Sequence, residues 1–132
     1  MELIGVDIGG SHISAASVKW DGEKAKILNF SEADVDSHSC ADQLISSWAN
    51  VIRSAAGDSR DFRIGIAMPG PYDYPNGISL IKDQGKMKSL YGLSVKNLLS
   101  HCLEVSPESI AFTNDAEAFL AGESLALSLI HI

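Results

Sequence analysis

The sequence predicts a mixed α/β domain built on one sheet that contains both antiparallel and parallel strands. Two apolar runs, Leu3–Ile8 and Ile13–Val18, are joined by only four residues. Because this connection is too short for a helical crossover, the two runs must pair as an antiparallel hairpin. Two later apolar runs, Phe62–Ala67 and Ile110–Phe112, each follow a segment with helical periodicity, which allows them to lie parallel to the first strand. The 132 residues are enough for one domain with a hydrophobic core.

The first strand ends at two glycines that suit the approach of an anion. Gly9 and Gly10 supply a bend without side chains, and such a turn lets backbone N–H groups approach an anion closely. Asp7, one residue inside the strand end, stands where a Mg²⁺ would bridge to that anion. A plain hairpin turn is the alternative, but a carboxylate inside an apolar strand is costly unless it is paired or near a metal. A Walker loop and a Rossmann fingerprint are excluded, because no Gly-Lys-Ser/Thr follows and the next element is a strand.

A third strand and a helix come next. Lys24–Phe30 alternates in polarity and predicts a strand antiparallel to the second, after an Asp-Gly turn. The polar stretch Ser31–Cys40 is expected to be a loop. In the helix that follows, Ser39 is the expected cap, Gly57 the stop, and Trp48 a core residue rather than a ligand contact. The apolar positions at helical spacing are Leu44, Ile45, Trp48, Val51, Ile52 and Ala55.

The fourth strand, Phe62–Ala67, ends at Met68-Pro69-Gly70-Pro71, where the prolines force the chain out of the sheet. A Pro-Asn-Gly turn and a short strand at Ile78–Ile81 are expected next. They are followed by an irregular polar stretch, Lys82–Gly92.

The remainder predicts a helix, a strand and another helix. Ser94 caps the first of these helices, and Pro107 starts a turn. Ile110–Phe112 is the fifth strand and ends in Thr113-Asn114-Asp115. Ala116–Leu129 is rich in Ala, Leu and Glu and is predicted to be helical. The apolar positions of the helix after Ser94 are Val95, Leu98, Leu99 and Cys102.

Composition narrows the class of protein. Hydrophobic residues at 45% and charged residues at 20% are typical of a globular domain, and no apolar run reaches the length of a membrane span. The net charge of −7 argues against a nucleic-acid partner. Met1 leads directly into a strand, so no signal peptide is expected, and Cys40 and Cys102, without metal-type spacing, are expected to be free thiols. We therefore expect a cytoplasmic protein that does not bind a membrane.

Three blocks that follow predicted parallel strands converge at one edge of the sheet. They are Asp7–Gly10, Pro69–Pro71 and Asn114-Asp115. In open α/β sheets ligands bind in the crevice at the carboxyl edge of the strands. Asp115 is the best catalytic candidate, since a carboxylate between a strand and a helix can accept a proton from a substrate hydroxyl. A helix N-cap is the alternative for this residue taken alone, and the convergence favours catalysis.

Taken together, these blocks resemble the ROK family of bacterial sugar kinases, related repressors and open reading frames. The matching residues are Gly5-Val6-Asp7-Ile8-Gly9-Gly10-Ser11-His12, Ile66-Ala67-Met68-Pro69-Gly70-Pro71 with Gly77, and Thr113-Asn114-Asp115-Ala116-Glu117-Ala118 with Gly122-Glu123. Their order and spacing match over essentially the whole chain. The resemblance implies an actin-like (ribonuclease H-like) ATPase domain, with flanking helices and a mixed five-stranded sheet of order 3-2-1-4-5. It also implies that residues 1–132 are the N-terminal domain of a two-domain sugar kinase whose C-terminal domain is absent.

The resemblance further implies ATP with Mg²⁺ as phosphoryl donor and a hexose hydroxyl as acceptor. Asp115 is implied as the catalytic base and Asn114 as a ligand of sugar hydroxyls. Asp7 is expected near Mg²⁺, directly or through a water molecule. The residues expected to face the ATP phosphates are Gly9, Gly10, Ser11 and His12, and those expected around the sugar are Pro69, Gly70, Gln84 and Glu117.

Several residues depart from the pattern of the family. His12 stands where lysine is usual, and Glu117 where asparagine is common. Lys82-Asp83-Gln84-Gly85 replaces an asparagine-containing turn that binds sugar, so the identity of the sugar is left open. The Cys/His segment that binds zinc in many members would lie beyond residue 132, so no zinc site is expected within this chain.

The leading hypothesis is therefore an ATP-dependent hexose kinase of the glucokinase type, homo-oligomeric in its full length. This chain alone is expected to bind ATP weakly, with half of a cleft. The main alternative is a non-catalytic sugar-binding or regulatory fragment related to the repressors of the family. A repressor itself is disfavoured because its winged helix-turn-helix would precede the glycine motif, which here begins at residue 3, and because the chain is acidic. Another member of the actin-like superfamily is disfavoured by the proline-glycine block followed by Asn114-Asp115.

Overall fold

The computed structural model describes residues 2–20, 25–58, 61–68, 72–81 and 88–113. Within them, strands dominate the first half, and helices and short turns the second. In chain order the elements are β1 (Glu2–Ile8), β2 (His12–Trp20), β3 (Ala25–Asp34), α1 (Ala41–Ala56), β4 (Phe62–Ala67), β5 (Tyr72–Asp73), β6 (Ile78–Ser79), a 3₁₀ turn (Lys88–Leu90), α2 (Val95–Leu103), a second 3₁₀ turn (Pro107–Ser109) and β7 (Ile110–Thr113).

Five of these strands form one mixed sheet of order β3-β2-β1-β4-β7. The β1–β2 and β2–β3 pairs are antiparallel, and the β1–β4 and β4–β7 pairs are parallel. This is the predicted order, because β7 is the fifth strand that the sequence predicts for the sheet. The remaining strands, β5 and β6, form a separate two-stranded hairpin.

The side chains of β1 alternate between two environments. Ile4, Val6 and Ile8 are buried in one hydrophobic cluster with residues of α1 and α2. Because successive side chains of a strand point to opposite faces, Leu3 and Asp7 belong to the other face of the sheet. Burying each of these isoleucines contributes about 1.5–3 kcal/mol. The central strand is therefore apolar towards the helices and presents its carboxylate on the opposite side.

Helix α1 packs across the sheet through its apolar stripe. Trp48 is fully buried in the cluster, so the prediction of a core role is confirmed. Gly57 ends the helix at φ 61°, as predicted, and its N–H donates to the carbonyl of Arg53. The predicted cap is wrong: the N-cap is Cys40, which makes no hydrogen bond through its side chain. Ser39 instead belongs to the preceding turn, where its N–H donates to the carbonyl of Asp36 at 3.0 Å.

Strand β3 is longer than predicted. The first four residues of the expected loop, Ser31–Asp34, continue the strand and pair with His12–Ala15 of β2. β3 lies at the edge of the sheet, where polar side chains remain in contact with water, so its polarity does not end the strand. The register shifts by one residue between Ser17 and Val18, which leaves Leu28 of β3 as the extra residue of a β-bulge.

The β5–β6 hairpin holds the amino end of α2. Its second strand is only two residues long, Ile78–Ser79, and therefore shorter than predicted. Gly77 has φ 67°, and its carbonyl accepts hydrogen bonds from the N–H groups of Val95 and Lys96 at 2.8 and 3.3 Å. The hydroxyl of Ser94 accepts from the N–H of Asn97 at 3.2 Å, which confirms the predicted cap.

Other predictions concern the cysteines, the membrane and the carboxyl end. Cys40 and Cys102 are free thiols, as expected. No helix within the described ranges is long and apolar enough to cross a membrane. The predicted helix at Ala116–Leu129 lies outside the described residues.

We expect Gly77→Ala to destabilise the domain by about 2–5 kcal/mol, because it combines an unfavourable φ with overpacking. A Cβ at Gly77 would lie 2.5 Å from Cβ of Lys96 and 2.9 Å from the ring of Phe112. Gly92→Ala is the matched control, since Gly92 has φ 76° and no atom within 4 Å of the added Cβ. The control should cost only about 1–2 kcal/mol. Urea unfolding of both variants measures the difference, and equal losses would show that the contacts at Gly77 do not matter.

Candidate functional site

The hairpin between β1 and β2 forms a tight tip at the carboxyl end of β1. The N–H of Gly9 donates to the carbonyl of His12 at 2.8 Å, and the carbonyl of Ser11 accepts from the N–H of Val35 at 2.9 Å. A Cβ at Gly9 would lie 3.6 Å from the carbonyl oxygen of His12, an ordinary contact, and the φ of Gly9 is outside the left-handed region. Neither the φ of Gly9 nor the space around it therefore requires glycine at this position. Access for a ligand is the other reason for a glycine here.

A row of partly polar residues crosses the whole sheet next to this tip, on the face opposite α1. Its members are register partners on β3, β2, β1, β4 and β7 in turn: Glu32, Ser14, Asp7, Ala67 and Thr113. Asp7 is half-buried in the middle of this row. Two strand spacings separate Asp7 from Thr113, which is about 10 Å.

The row ends where the predicted catalytic block begins. Thr113 is the last residue of β7, and Asn114 and Asp115 follow it in the sequence. The N–H of Met68 donates to the carbonyl of Thr113 at 2.9 Å, so the chain leaves β4 and β7 at neighbouring points. The segments that continue into Pro69 and Asn114 therefore start side by side, at the carboxyl edge that the sequence predicts.

Part of the predicted site lies outside the described residues. Those within them lie at or next to the tip of the β1–β2 hairpin, where β1 ends: Asp7, Gly9, Gly10, Ser11 and His12. The predicted residues outside them are Pro69, Gly70, Gln84, Asn114, Asp115 and Glu117.

An aromatic cluster supports the carboxyl edge near β4 and β7. The ring of Tyr72 stacks on Phe112 of β7 with centroids 5.8 Å apart, and it lies 5.7 Å from Tyr74. The hydroxyl of Tyr74 donates to the carbonyl of Met68 at 3.1 Å. Burial raises the pKa of the Tyr72 hydroxyl far above its ordinary value, so this group stays protonated. The cluster therefore links Met68 and Tyr72 to β7.

His12 lies between two carboxylates of β3. Its Nδ1 is 3.0 Å from Oδ1 of Asp34, and its Nε2 is 3.3 Å from Oε2 of Glu32. The hydrogen bond to Asp34, followed by that to Glu32, raises the pKa of His12 above its ordinary value of 6.5. The hairpin tip thus has a basic group beside it, whose protonated form is favoured by two carboxylates.

Sequence reasoning missed this cluster, because it assigned Glu32 and Asp34 to a loop. The signal that could have revealed them is alternation, since Glu32 and Asp34 alternate with Ala33 and Val35 shortly after the predicted strand. Their pairing with His12 depends on the register of β3, which a local pattern does not contain.

The described side chains do not form a ready-made metal site. Among them, no group of three or more His, Cys, Asp and Glu side chains is arranged to hold a metal ion. Asp7 offers hard carboxylate oxygens, which suit Mg²⁺ when a phosphate group supplies further ligands.

Solved structures of sugar kinases are similar to this chain over nearly its whole length. A ROK family glucokinase from Streptomyces griseus, in complex with glucose and AMPPNP, superposes with a TM-score of 0.71 and 22% identity over 95% of this chain and 36% of its own. A putative N-acetylmannosamine kinase from Listeria monocytogenes gives 0.64 and 21% over 95% of this chain and 39% of its own. An inorganic polyphosphate/ATP-glucomannokinase from Arthrobacter gives 0.68 and 21% over 89% of this chain and 45% of its own. The sequence matches no protein-family model and no curated protein.

These similarities confirm the predicted fold class, the actin-like α/β fold of ROK sugar kinases. At identities of 21–22% they establish the fold alone. The chain spans between 36% and 45% of the length of these kinases.

We expect the stabilising effect of His12 to depend on pH. Because its pKa is raised in the folded state, its contribution is fully present below pH 6.5, the unfolded value, and is lost as pH rises through the higher folded value. His12→Gln should therefore lower the free energy of unfolding more at pH 6 than at pH 8.5, by a small amount because the side chains are exposed. Denaturant titrations at several pH values measure this difference.

The control is the double variant Glu32→Gln/Asp34→Asn, which removes both partners of His12. In that background, His12→Gln should lose most of its pH dependence. A His12→Gln effect that is the same at all pH values in the unmodified chain would contradict the assignment.

Proposed function

We propose that this chain is the N-terminal domain of an ATP-dependent hexose kinase of the glucokinase type. The observation that supports it best is the row that joins Asp7, beside the glycine tip, to Thr113, directly before Asn114-Asp115. A nucleotide at one end and an acceptor hydroxyl at the other would use the same edge of the sheet. The similarity to a glucokinase solved with glucose and AMPPNP supports the same assignment.

Asp115 is proposed as the general base that accepts the proton of the sugar hydroxyl. A carboxylate held between a strand and a helix N-terminus stays ionised at neutral pH and can orient the hydroxyl for attack. Asn114 would bind neighbouring hydroxyls through its amide. The other residues proposed to line the sugar pocket are Pro69, Gly70, Gln84 and Glu117.

Gly9, Gly10, Ser11 and His12 are proposed to hold the phosphates of ATP. The room at Gly9 fits this role, because glycine is not needed there for the turn itself. The N–H of Gly9 already donates within the hairpin, so the donors for phosphate would come from the next residues of the tip. Asp7 would bind Mg²⁺ directly or through water. The bound Mg²⁺-ATP supplies the γ-phosphoryl group and neutralises its developing charge.

The remainder of such a kinase would supply the other wall of the cleft. Residues 1–132 would be the first of two domains, and the whole protein a cytoplasmic homo-oligomer. A non-catalytic sugar-binding or regulatory fragment is the second candidate. It is favoured by the departures from the kinase pattern at His12, Gln84 and Glu117.

The activity is tested in the longest natural chain that contains this sequence, by ADP release with a panel of hexoses and amino sugars. We expect one sugar to stimulate ADP release, and Asp115→Asn to lower kcat by about 10²–10⁴-fold, the usual contribution of a general base. Asp58→Asn is the matched control, since Asp58 is exposed and lies after α1, away from the carboxyl edge. Sugar binding without ADP release would favour the regulatory candidate.

The phosphate role of the tip is tested by Gly9→Ala. Since the added Cβ makes only an ordinary contact, the free energy of unfolding should change by less than about 1 kcal/mol. The affinity for Mg²⁺-ATP should fall by about tenfold, which corresponds to about 1.4 kcal/mol. Calorimetric titration and urea unfolding of the same variant give the two values. A less stable variant with unchanged affinity would make Gly9 a turn residue only.

A further inference from the structure

The contacts of His12 suit the protonated form of its ring. A carboxylate at neutral pH only accepts hydrogen bonds, whereas a neutral imidazole has one N–H donor and one acceptor. Both ring nitrogens of His12 face carboxylate oxygens, at 3.0 and 3.3 Å. Only the protonated ring donates on both sides. The geometry of Glu32 and Asp34 therefore matches an imidazolium.

In the described part of the chain, the other charged groups on the side of His12 are acidic, and the basic groups of the β2–β3 hairpin lie at its opposite end. Asp7 is on the same face of the sheet, on the neighbouring strand β1, where it pairs with Ser14 and not with His12. Beyond β3, the carboxylate of Asp36 accepts from the N–H of His38 within its own turn. The pair Lys19 and Lys26 lies at the opposite end of the β2–β3 hairpin. Among the described side chains, His12 is thus the basic group that contacts Glu32 and Asp34, and Asp7 lies on the same face of the sheet without a contact to it.

Resting on the nucleotide site proposed above, we propose that Glu32 and Asp34 are positioning residues that hold a protonated His12 at the phosphate end of the site, so that nucleotide binding weakens when His12 loses its proton. Neither carboxylate needs to touch the nucleotide for this effect. Their role is to fix the ring and to keep its charge.

The physical reason is that the surroundings of the phosphate become more negative when His12 loses its proton. With His12 protonated, one positive charge offsets the nearby carboxylates. With His12 neutral, an incoming phosphate meets the carboxylates of Glu32 and Asp34 without that charge. A unit charge at contact distance in water changes affinity by roughly fivefold, and more where water is excluded. Because the linkage is reciprocal, bound nucleotide should also raise the proton affinity of His12.

A lysine in the same place would behave differently. An ordinary lysine keeps its charge until about pH 10. His12→Lys therefore serves as the matched variant that retains the charge and removes the titration between pH 6 and pH 8.5. Any titration of the nucleotide itself is common to both proteins, so the ratio of their affinities isolates His12.

The experiment is a calorimetric titration of Mg²⁺-ATP into the longest natural chain that contains this sequence, at constant ionic strength from pH 5.5 to pH 8.5. It compares the unmodified chain, His12→Lys and Glu32→Gln/Asp34→Asn, and thermal unfolding at each pH verifies that each is folded. We expect the affinity of the unmodified chain, relative to His12→Lys, to fall by roughly fivefold across this range. In the double variant the fall should move to lower pH. NMR titration of the ring nitrogens of His12 should show the same displacement without nucleotide.

Each result decides between the proposals. Parallel pH profiles for the unmodified chain and His12→Lys would overturn the role of the His12 proton and leave the nucleotide site intact. A double variant with the profile of the unmodified chain would overturn the positioning role of Glu32 and Asp34. Absence of Mg²⁺-ATP binding at every pH in all three proteins would overturn the nucleotide site and this inference together.

Discussion

The alternation of side chains along β1 is the constraint on which the rest of the molecule depends. Three isoleucine and valine side chains of this central strand enter the helical core, and the carboxylate of Asp7 faces the other way. A slip of one residue would move the carboxylate into the core and the apolar side chains out of it, at a cost of several kcal/mol. The register that buries the core therefore also fixes where Asp7 lies relative to β2 and β4. The same register thus accounts for the burial of the core and for the position of Asp7.

Local patterns were sufficient to predict much of this fold. β4, with bounds Phe62–Ala67, is as predicted, because prolines follow it and a helix precedes it. The errors concern residues whose state is decided by partners far along the chain. Ser31–Asp34 is polar and resembles a loop, but it forms a strand because β2 offers it a register. Ser39 has a side chain that suits a cap, but it lies one residue before the N-cap, in a turn where its N–H donates to the carbonyl of Asp36.

The candidate site was predicted better in its location than in its electrostatics. Its edge of the sheet followed from topology, since parallel strands direct their carboxyl ends to one side. The charge cluster at its end did not, because His12 acquires its carboxylate partners only when β3 pairs with β2. Charges on neighbouring strands come together through register, and register is a property of the whole sheet. The proposed kinase chemistry therefore depends on residues that no single block of the sequence contains.

The β-bulge at Leu28 divides the β2–β3 hairpin into two independent halves. From Ser17 to His12 the pairing with β3 follows one continuous register, and beyond Ser17 it is offset by one residue. Length changes in the connection between the two strands can be absorbed at this point, before they alter which face Glu32 and Asp34 occupy. The half of the hairpin beyond the bulge is therefore the place where added residues would least disturb the pairing beside His12.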